Sequence, residues 1–187
     1  ISIIFLGAAT PLSSGKTTKK PKITYNEKYY VNLAKKYAKK YHISRWQVLY
    51  GLWWWESAGG KYPSHWVKGK IGEVVVRGDG TKAIGLGQIH LLTAQSHYNL
   101  DITEKELMKI ETNADCSAKI LADHISHFYE KKYAKDMAYI CGISAYNMGL
   151  TGTKESLVKV DTSAQEYKVP ENFEGYVTKI LSRADII

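Results

Sequence analysis

The sequence predicts one α+β domain that is predominantly helical and contains one small β-hairpin. The chain of 187 residues is long enough to bury a sizeable core. Apolar residues recur at helical spacing over most of its length. One segment differs, because three consecutive valines precede Gly78-Asp79-Gly80, and an Asp-Gly turn in this setting is typical of a hairpin.

Positive charge is concentrated near the start of the chain. The sequence has 26 Lys and Arg against 18 Asp and Glu, a formal net charge of +8. Residues 1–40 hold nine Lys and a single acid, so they account for the whole excess, and residues 41–187 are neutral. A neutral domain without a recognisable binding motif disfavours nucleic acid as a partner. The basic arm and first helix would attract anionic polymers of a cell envelope, unless they simply form a solvated face.

The first residues resemble an export signal in their order. Residues 1–6 are apolar, residues 7–9 are small, and residues 11–22 are polar and rich in Lys. This order is typical of the end of a signal peptide, its cleavage site and a mature N-terminus. We therefore interpret residues 1–22 as a signal-peptide remnant and a flexible basic arm, and expect an exported protein that is periplasmic, envelope-bound or extracellular. A short strand or a clipped membrane anchor is the alternative.

Capping residues predict the helices of the first half. Thr24 and Ser44 are each followed three residues later by Glu or Gln, which is the spacing of a capping box. The first helix is predicted to run from Thr24 to about Tyr41, and the second from Ser44 to Gly59-Gly60. The hairpin follows, from Glu73 to Ile84.

The second half is predicted to be helical throughout, apart from one loop. Thr103 begins a helix by the same capping rule. Apolar spacing predicts a long helix over residues 112–132 and a buried helix over residues 136–147. Residues 149–170 are polar and predict a loop, and a last helix follows Pro170.

Glu56 is the strongest candidate for chemistry. It lies near the C-terminus of the second predicted helix, directly after three consecutive tryptophans. Aromatic neighbours and the negative end of a helix dipole both raise the pKa of a carboxyl group. A carboxylic acid that stays protonated near neutral pH is what a glycosidase uses to protonate a leaving oxygen. An ordinary solvated residue beside core tryptophans is the alternative interpretation.

Two further segments carry polar side chains at corners of the fold. Residues 83–89 contain two Gly, which permit close backbone approach, and Gln88, whose amide can both donate and accept. Residues 143–149 end a predicted helix with Tyr146 and Asn147, where polar side chains can face a cleft. Each segment alone is equally compatible with a structural corner or a helix cap.

The order of these motifs is more specific than any one of them. In chain order the motifs are Glu56-Ser57, Gly85-Leu86-x-Gln88-Ile89, Ala145-Tyr146-Asn147-x-Gly149 and Tyr176-Val177. This order resembles the soluble lytic transglycosylase and goose-type lysozyme family, whose members cleave peptidoglycan between N-acetylmuramic acid and N-acetylglucosamine. The resemblance covers about residues 42–184 and implies that residues 23–187 form a lysozyme-like domain.

The resemblance implies a role for each motif residue. Glu56 would be the catalytic acid and base, and Gln88 would bind an N-acetyl group or the glycan. Tyr146 and Asn147 would line the cleft near the acid, and Tyr176 would close the same site. The remaining expected substrate contacts are Ser57, Ile89 and His90.

The chain departs from the family pattern at three positions. Family members usually carry Met where this chain has Gly87 and His90, and Pro where it has Leu91. We therefore expect Gly87 to remove a side chain from the cleft wall, and His90 to place an ionisable group there. Asn113 matches a structural Asn of the family and receives no catalytic role.

The number of catalytic carboxyl groups separates two reactions. A lytic transglycosylase needs one, whereas an inverting hydrolase needs a second at roughly 6.5–9.5 Å to activate water. Asp79 is the candidate for the second, with Glu73 a weaker one, although an Asp-Gly turn explains Asp79 as well. The sequence therefore favours a lytic transglycosylase. The alternatives are a goose-type lysozyme assisted by Asp79 and a non-catalytic glycan-binding module.

Neither cysteines nor histidines predict a further site. The predicted helices place Cys116 and Cys141 at heights that differ by roughly 16 Å, too far for a disulfide. His124 and His127 lie near one helix face, but zinc needs three or four ligands and no third has suitable spacing. We expect no metal and no cofactor, and a monomer.

Overall fold

The computed structural model describes residues 27–57, 75–76, 82–158 and 171–185, and these form a helical domain with a small antiparallel sheet. The predicted fold class is confirmed. Within these ranges no helix is long and apolar enough to cross a membrane. The elements are α1 (Glu27–Lys40), α2 (Trp46–Ser57), β1 (Val75–Val76), β2 (Lys82–Ile84), β3 (Ile89–His90), α3 (Leu91–His97), α4 (Glu104–Leu107), α5 (Ile110–Glu130), α6 (Lys135–Val158) and α7 (Glu171–Asp185).

Helix α5 is the centre of the domain. Six consecutive residues, Asn113–Ala118, are buried, which requires neighbours on all sides of the helix. Helices α1, α3, α4 and α6 supply these neighbours. Helix α2 is equally apolar, with Val48–Trp53 buried, and packs between α1 and α7. The core therefore joins the helix that carries Glu56 to both ends of the described chain.

The predicted hairpin is present as strands β1 and β2. Val75 pairs with Ala83 and Val76 with Lys82 in an antiparallel register. The structure adds a third short strand, β3, in which His90 pairs with Ala83. A four-residue turn, residues 85–88, joins β2 to β3, and it uses positive φ at Gly85 (74°) and Gln88 (49°). Asp79 and Glu73 lie outside the described residues.

The loop prediction for residues 149–170 is wrong over residues 150–158. Helix α6 continues to Val158, with a kink at Gly149, where φ is 77° and ψ is 165°. Thr153 Oγ1 donates to the Gly149 carbonyl at 2.9 Å within the second segment. Glycine with positive φ normally ends a helix, and the polar residues that follow show no apolar stripe, so the pattern hid the continuation. Residues 159–170 lie outside the described residues.

Two helix starts differ from the sequence prediction. Helix α3 is absent from that prediction, because His90 at its N-cap makes no side-chain capping bond and so gives no start signal. Helix α2 begins at Trp46, two residues after the predicted start at Ser44. The Ser44 hydroxyl shares a 2.8 Å hydrogen bond with the Tyr139 hydroxyl, which connects the start of α2 to α6. Thr103, in contrast, forms the predicted capping box with Glu106 at the start of α4.

Two of the five lysines of α1 form ion pairs within the domain. Lys36 Nζ lies 2.8 Å from Glu111, and Lys40 Nζ lies 2.8 Å from Asp115. Both pairs connect α1 to α5 at the same four-residue spacing on each helix. Lys35 Nζ lies 4.8 Å from the centroid of the Trp46 ring. Attraction of anionic polymers stays a prediction both for α1 and for the lysines of residues 1–22. Residues 1–22 lie outside the described ranges, and the boundary between this arm and the domain also stays a prediction.

Both cysteines are buried and free, as predicted. Cys116 belongs to α5 and Cys141 to α6. Burial raises the pKa of each thiol to about 12, so both stay protonated and unreactive at neutral pH.

A Gly85→Ala substitution should destabilise the fold. A Cβ at this position would lie 2.3 Å from Asn113 Nδ2, and the positive φ adds strain. We expect a loss of about 2 kcal/mol or more in the free energy of unfolding, measured by urea titration with circular dichroism.

Gly175→Ala is the matched control. Gly175 lies in α7, and a Cβ added there would meet no other atom within 4 Å, so alanine should stabilise the helix by about 0.5–1 kcal/mol. Equal unfolding midpoints for the two variants would contradict the role assigned to Gly85.

His124 should make stability depend on pH. It is 5% exposed, its Nδ1 has no hydrogen-bond partner, and burial together with the neighbouring His97 lowers its pKa from 6.5 to about 4. The unfolded chain binds this proton at higher pH than the folded chain does. Stability from this group is therefore complete above pH 6.5 and falls as the pH drops toward 4, by about 3 kcal/mol in total.

The measurement compares the native chain with His124→Leu by urea unfolding at several pH values. Asp123, His97 and His127 surround the ring and remain in both proteins, so the difference between the two curves isolates His124. A difference that does not change between pH 7 and pH 4.5 would contradict the assignment.

Candidate active site

Glu56 meets Tyr176, a residue 120 positions later in the chain. Glu56 is partly buried in the last turn of α2, and its Oε1 accepts a hydrogen bond from the Tyr176 hydroxyl of α7. The Trp55 ring stands edge-to-face against the Tyr176 ring, with centroids 6.3 Å apart. The first and last of the predicted motifs are thus brought into direct contact.

Close packing of α7 on α2 sets the position of this pair. A Cβ on Gly51 would lie 2.6 Å from the Ile180 carbonyl oxygen, so glycine is what allows the two backbones to approach. Further along α7, the Arg183 guanidinium lies 4.3 Å from the centroid of the Trp54 ring. A glycine inside an apolar helix is a sequence signal for such an approach, and it could have identified Gly51.

The turn between β2 and β3 is held by one buried amide. Asn113 is 0% exposed, and its Oδ1 accepts from the Gly87 N–H at 2.8 Å. Its Nδ2 donates to the carbonyls of Ile84 at 2.8 Å and Leu107 at 2.9 Å. Asn113 therefore fixes the turn against α5, in agreement with the structural role that the sequence analysis gave it.

Tyr146 bonds to this turn, and the arrangement corrects the expectation for Gly87. The Tyr146 hydroxyl donates to the Gly87 carbonyl at 2.8 Å. A Cβ on Gly87 would lie 2.6 Å from that hydroxyl oxygen and 2.7 Å from Ser117 Cβ. The position faces the interior and not the cleft wall, so glycine is needed here to let Tyr146 reach the backbone.

Ser57 anchors the end of α2 to the same turn. Its side chain is 2% exposed, and its Oγ lies 2.7 Å from the Leu86 carbonyl and 3.1 Å from the Trp53 carbonyl. The sequence predicts a substrate contact for Ser57, but its burial makes it a positioning residue. It holds the backbone next to Glu56 in place.

The electrostatics of the cluster keep both tyrosine hydroxyls protonated. Burial, followed by the charge of Glu56, raises the pKa of Tyr176 and of Tyr146 far above the ordinary value. Both tyrosines are therefore neutral at physiological pH and act as hydrogen-bond donors.

The other expected substrate contacts take different positions. Gln88 is partly buried, and its Nε2 donates to the Gly85 carbonyl at 2.8 Å, so its amide helps to close the turn. Ile89 is buried in a small core cluster and is not available to a ligand. His90 is partly buried at the end of β3, and Asn147 is exposed directly after Tyr146.

A comparison with protein-family models identifies the domain. Residues 32–168, well over half of the chain, match the Transglycosylase SLT domain. The chain belongs to the transglycosylase SLT domain family. This family consists of peptidoglycan lytic transglycosylases, which bind glycan strands and cleave glycosidic bonds in the cell envelope. Neither the curated proteins nor the solved structures that were compared contain a match to this chain.

The matched region contains only part of the cluster. Glu56, Gly87 and Tyr146 lie inside it, whereas Tyr176 lies beyond its end at residue 168. The hydrogen bond to the candidate acid Glu56 therefore comes from a residue of α7, outside the matched region. Only the tertiary structure shows that Tyr176 contacts Glu56.

Tyr176→Phe should strongly lower the rate of peptidoglycan cleavage and only slightly lower the free energy of unfolding. The variant keeps the ring against Trp55 but removes the donor to Glu56, and we expect the rate of peptidoglycan cleavage to fall about tenfold or more. Loss of one hydrogen bond should reduce the free energy of unfolding by about 1 kcal/mol.

Tyr139→Phe is the control for this variant. Tyr139 is a buried tyrosine whose hydroxyl bonds to Ser44 at the opposite end of α2. It should lose similar stability and keep its cleavage rate, measured as release of soluble fragments from peptidoglycan. Equal activity losses in both variants would show that Tyr176 acts only through stability.

Proposed function

We propose that this protein is a lytic transglycosylase that cleaves the β-1,4 bond between N-acetylmuramic acid and N-acetylglucosamine, with Glu56 as acid and base. The observation that supports this proposal is the Glu56 carboxyl at the end of α2, held by a neutral Tyr176. Membership of the SLT family supplies the reaction class.

The reaction needs one carboxyl group that acts twice. Glu56 first donates its proton to the glycosidic oxygen, so that the bond to C1 of the muramic acid residue breaks and the N-acetylglucosamine hydroxyl leaves. The carboxylate then accepts the proton of the C6 hydroxyl as that oxygen attacks C1. The products are a 1,6-anhydro end and a free 4-hydroxyl, and no water is consumed.

Tyr176 and Tyr146 would support these two proton transfers in different ways. Tyr176 donates to Oε1 of Glu56 and so fixes the plane of the carboxyl before substrate binds. Tyr146 is tied to the Gly87 carbonyl, which keeps its ring at the site of the reaction. Gln88, His90 and Asn147 remain the proposed glycan contacts.

The site of action follows from the substrate. A protein that cleaves peptidoglycan has to reach the cell wall, so we propose that it is exported to the periplasm, the envelope or the medium. Detection in an envelope or medium fraction of expressing cells would agree with this proposal, and retention of an active, unprocessed chain in the cytoplasm would contradict it.

Glu56→Gln should abolish cleavage while the fold is kept. The amide is nearly the same size but cannot donate and recover a proton, so we expect the rate to fall by about 10²–10⁴-fold or more. Glu155→Gln, at an exposed position on α6, is the control and should keep full activity. Release of soluble fragments by a Glu56→Gln protein at the native rate would reject Glu56 as the acid.

Digestion in ¹⁸O-labelled water, followed by mass spectrometry, tests the type of reaction. We expect products that lack one water and carry no label, because the substrate's own C6 hydroxyl is the nucleophile. Products labelled at the reducing end would instead mean hydrolysis. Asp79 would then become the candidate for activating water, and Asp79→Asn the next variant to measure.

A further inference from the structure

We propose that Lys179 and Trp55 form a subsite for the carboxylate that N-acetylmuramic acid residues carry, beside the candidate acid. The carboxylate belongs either to the lactyl ether itself or to the stem peptide attached to it. This inference rests on the proposed function, because it concerns the substrate of the same site.

The structure holds the lysine next to the acid through a short series of contacts. Lys179 Nζ lies 4.3 Å from the centroid of the Trp55 ring. Trp55 is 46% exposed and stands edge-to-face against Tyr176, which donates to Glu56. These contacts place the Lys179 ammonium group on the exposed ring of Trp55, in the same group of side chains as Tyr176 and Glu56.

Lys179 is not neutralised by a carboxylate, in contrast to several other cations of the described chain. Lys35 is held in a similar way, over the Trp46 ring, but at the opposite end of α2 from Glu56. Lys36, Lys40 and Lys119 each contact a carboxylate, and Arg183 lies 3.9 Å from Glu27. Within the described ranges no carboxylate lies within ion-pair distance of Lys179. An aromatic face orients an ammonium group but does not neutralise it, so the donors of Lys179 stay available to an anionic ligand.

The chemistry of the glycan provides such a ligand on alternate sugars. N-acetylglucosamine is uncharged, whereas N-acetylmuramic acid carries a carboxylate on its lactyl group or on the peptide that extends from it. A cation in the same group of side chains as Glu56 would therefore favour one register of the strand over the register shifted by one sugar. The subsite would help to place the bond that follows muramic acid at the carboxyl group, and would discriminate against uncharged N-acetylglucosamine polymers.

Binding measurements in the Glu56→Gln background test the subsite without turnover. Tryptophan fluorescence or calorimetry would follow three ligands: glycan fragments with stem peptides, peptide-free fragments, and N-acetylglucosamine oligomers. We expect Lys179→Gln to weaken binding of an anionic fragment about fivefold and to leave the uncharged oligomers unchanged. Lys179→Arg should restore most of the affinity, and Lys39→Gln, an exposed lysine of α1, should change nothing.

Kinetics of the active enzyme separate binding from an effect on the acid. Lys179→Gln should raise the KM for peptidoglycan about fivefold, change kcat by less than about twofold, and leave the shape of the pH–rate profile in place. A shifted profile with an unchanged KM would overturn the subsite, because it would mean that Lys179 acts through Glu56.

The three ligands also distinguish the remaining outcomes. A loss confined to fragments with peptides supports the stem carboxylate as the partner, and a loss with both anionic fragments supports the lactyl group. Unchanged affinity for all fragments, or an equal loss for the uncharged oligomers, would overturn the inference while leaving the proposed function intact. Failure of the Glu56→Gln protein to bind any of the three would overturn both.

Discussion

The buried amide of Asn113 is the interaction on which the geometry of the site depends. Three hydrogen bonds from one side chain hold the β2–β3 turn against the central helix. The carbonyls of that turn are then in place to receive Tyr146 at Gly87 and Ser57 at Leu86. A buried polar group is stabilising only when its partners are satisfied, so the turn, the end of α2 and the middle of α6 have to assemble together.

Helix packing supplies the second constraint, because the acid and its donor lie on different helices. Gly51 lets α7 approach α2 so closely that no side chain fits between Gly51 and the Ile180 carbonyl. This approach places the Tyr176 hydroxyl on Glu56. Tyr176 is buried and neutral, so it acts as a hydrogen-bond donor to the carboxyl group. In the proposed reaction it would hold this group through both proton transfers.

Charged side chains of the described residues connect helices in one part of the molecule and lie near the candidate site in another. Lys36 and Lys40 of α1 are matched by Glu111 and Asp115 of α5, with tyrosine hydroxyls completing each cluster. These pairs offset part of the repulsion among the five lysines of α1. Lys179 instead lies over the ring of Trp55, the residue that precedes the candidate acid.

The sequence by itself determined the helical α+β class, the order of the motifs and the choice of Glu56, because these depend on local periodicity and on residue types at short spacings. Only the tertiary structure decided what each motif residue touches. The sequence predicts that Gly87 opens the cleft wall, whereas in the structure Gly87 contacts Tyr146 in the interior. The sequence also predicts that a helix ends before Gly149, whereas the structure has a kink there. A glycine in the sequence indicates only that a side chain is absent. Whether solvent or a neighbouring residue fills that space, or the backbone bends there, depends on parts of the chain that are distant in sequence. The contact between Glu56 and Tyr176 has the same origin, since 120 residues separate them and only the packing of α7 on α2 brings them together.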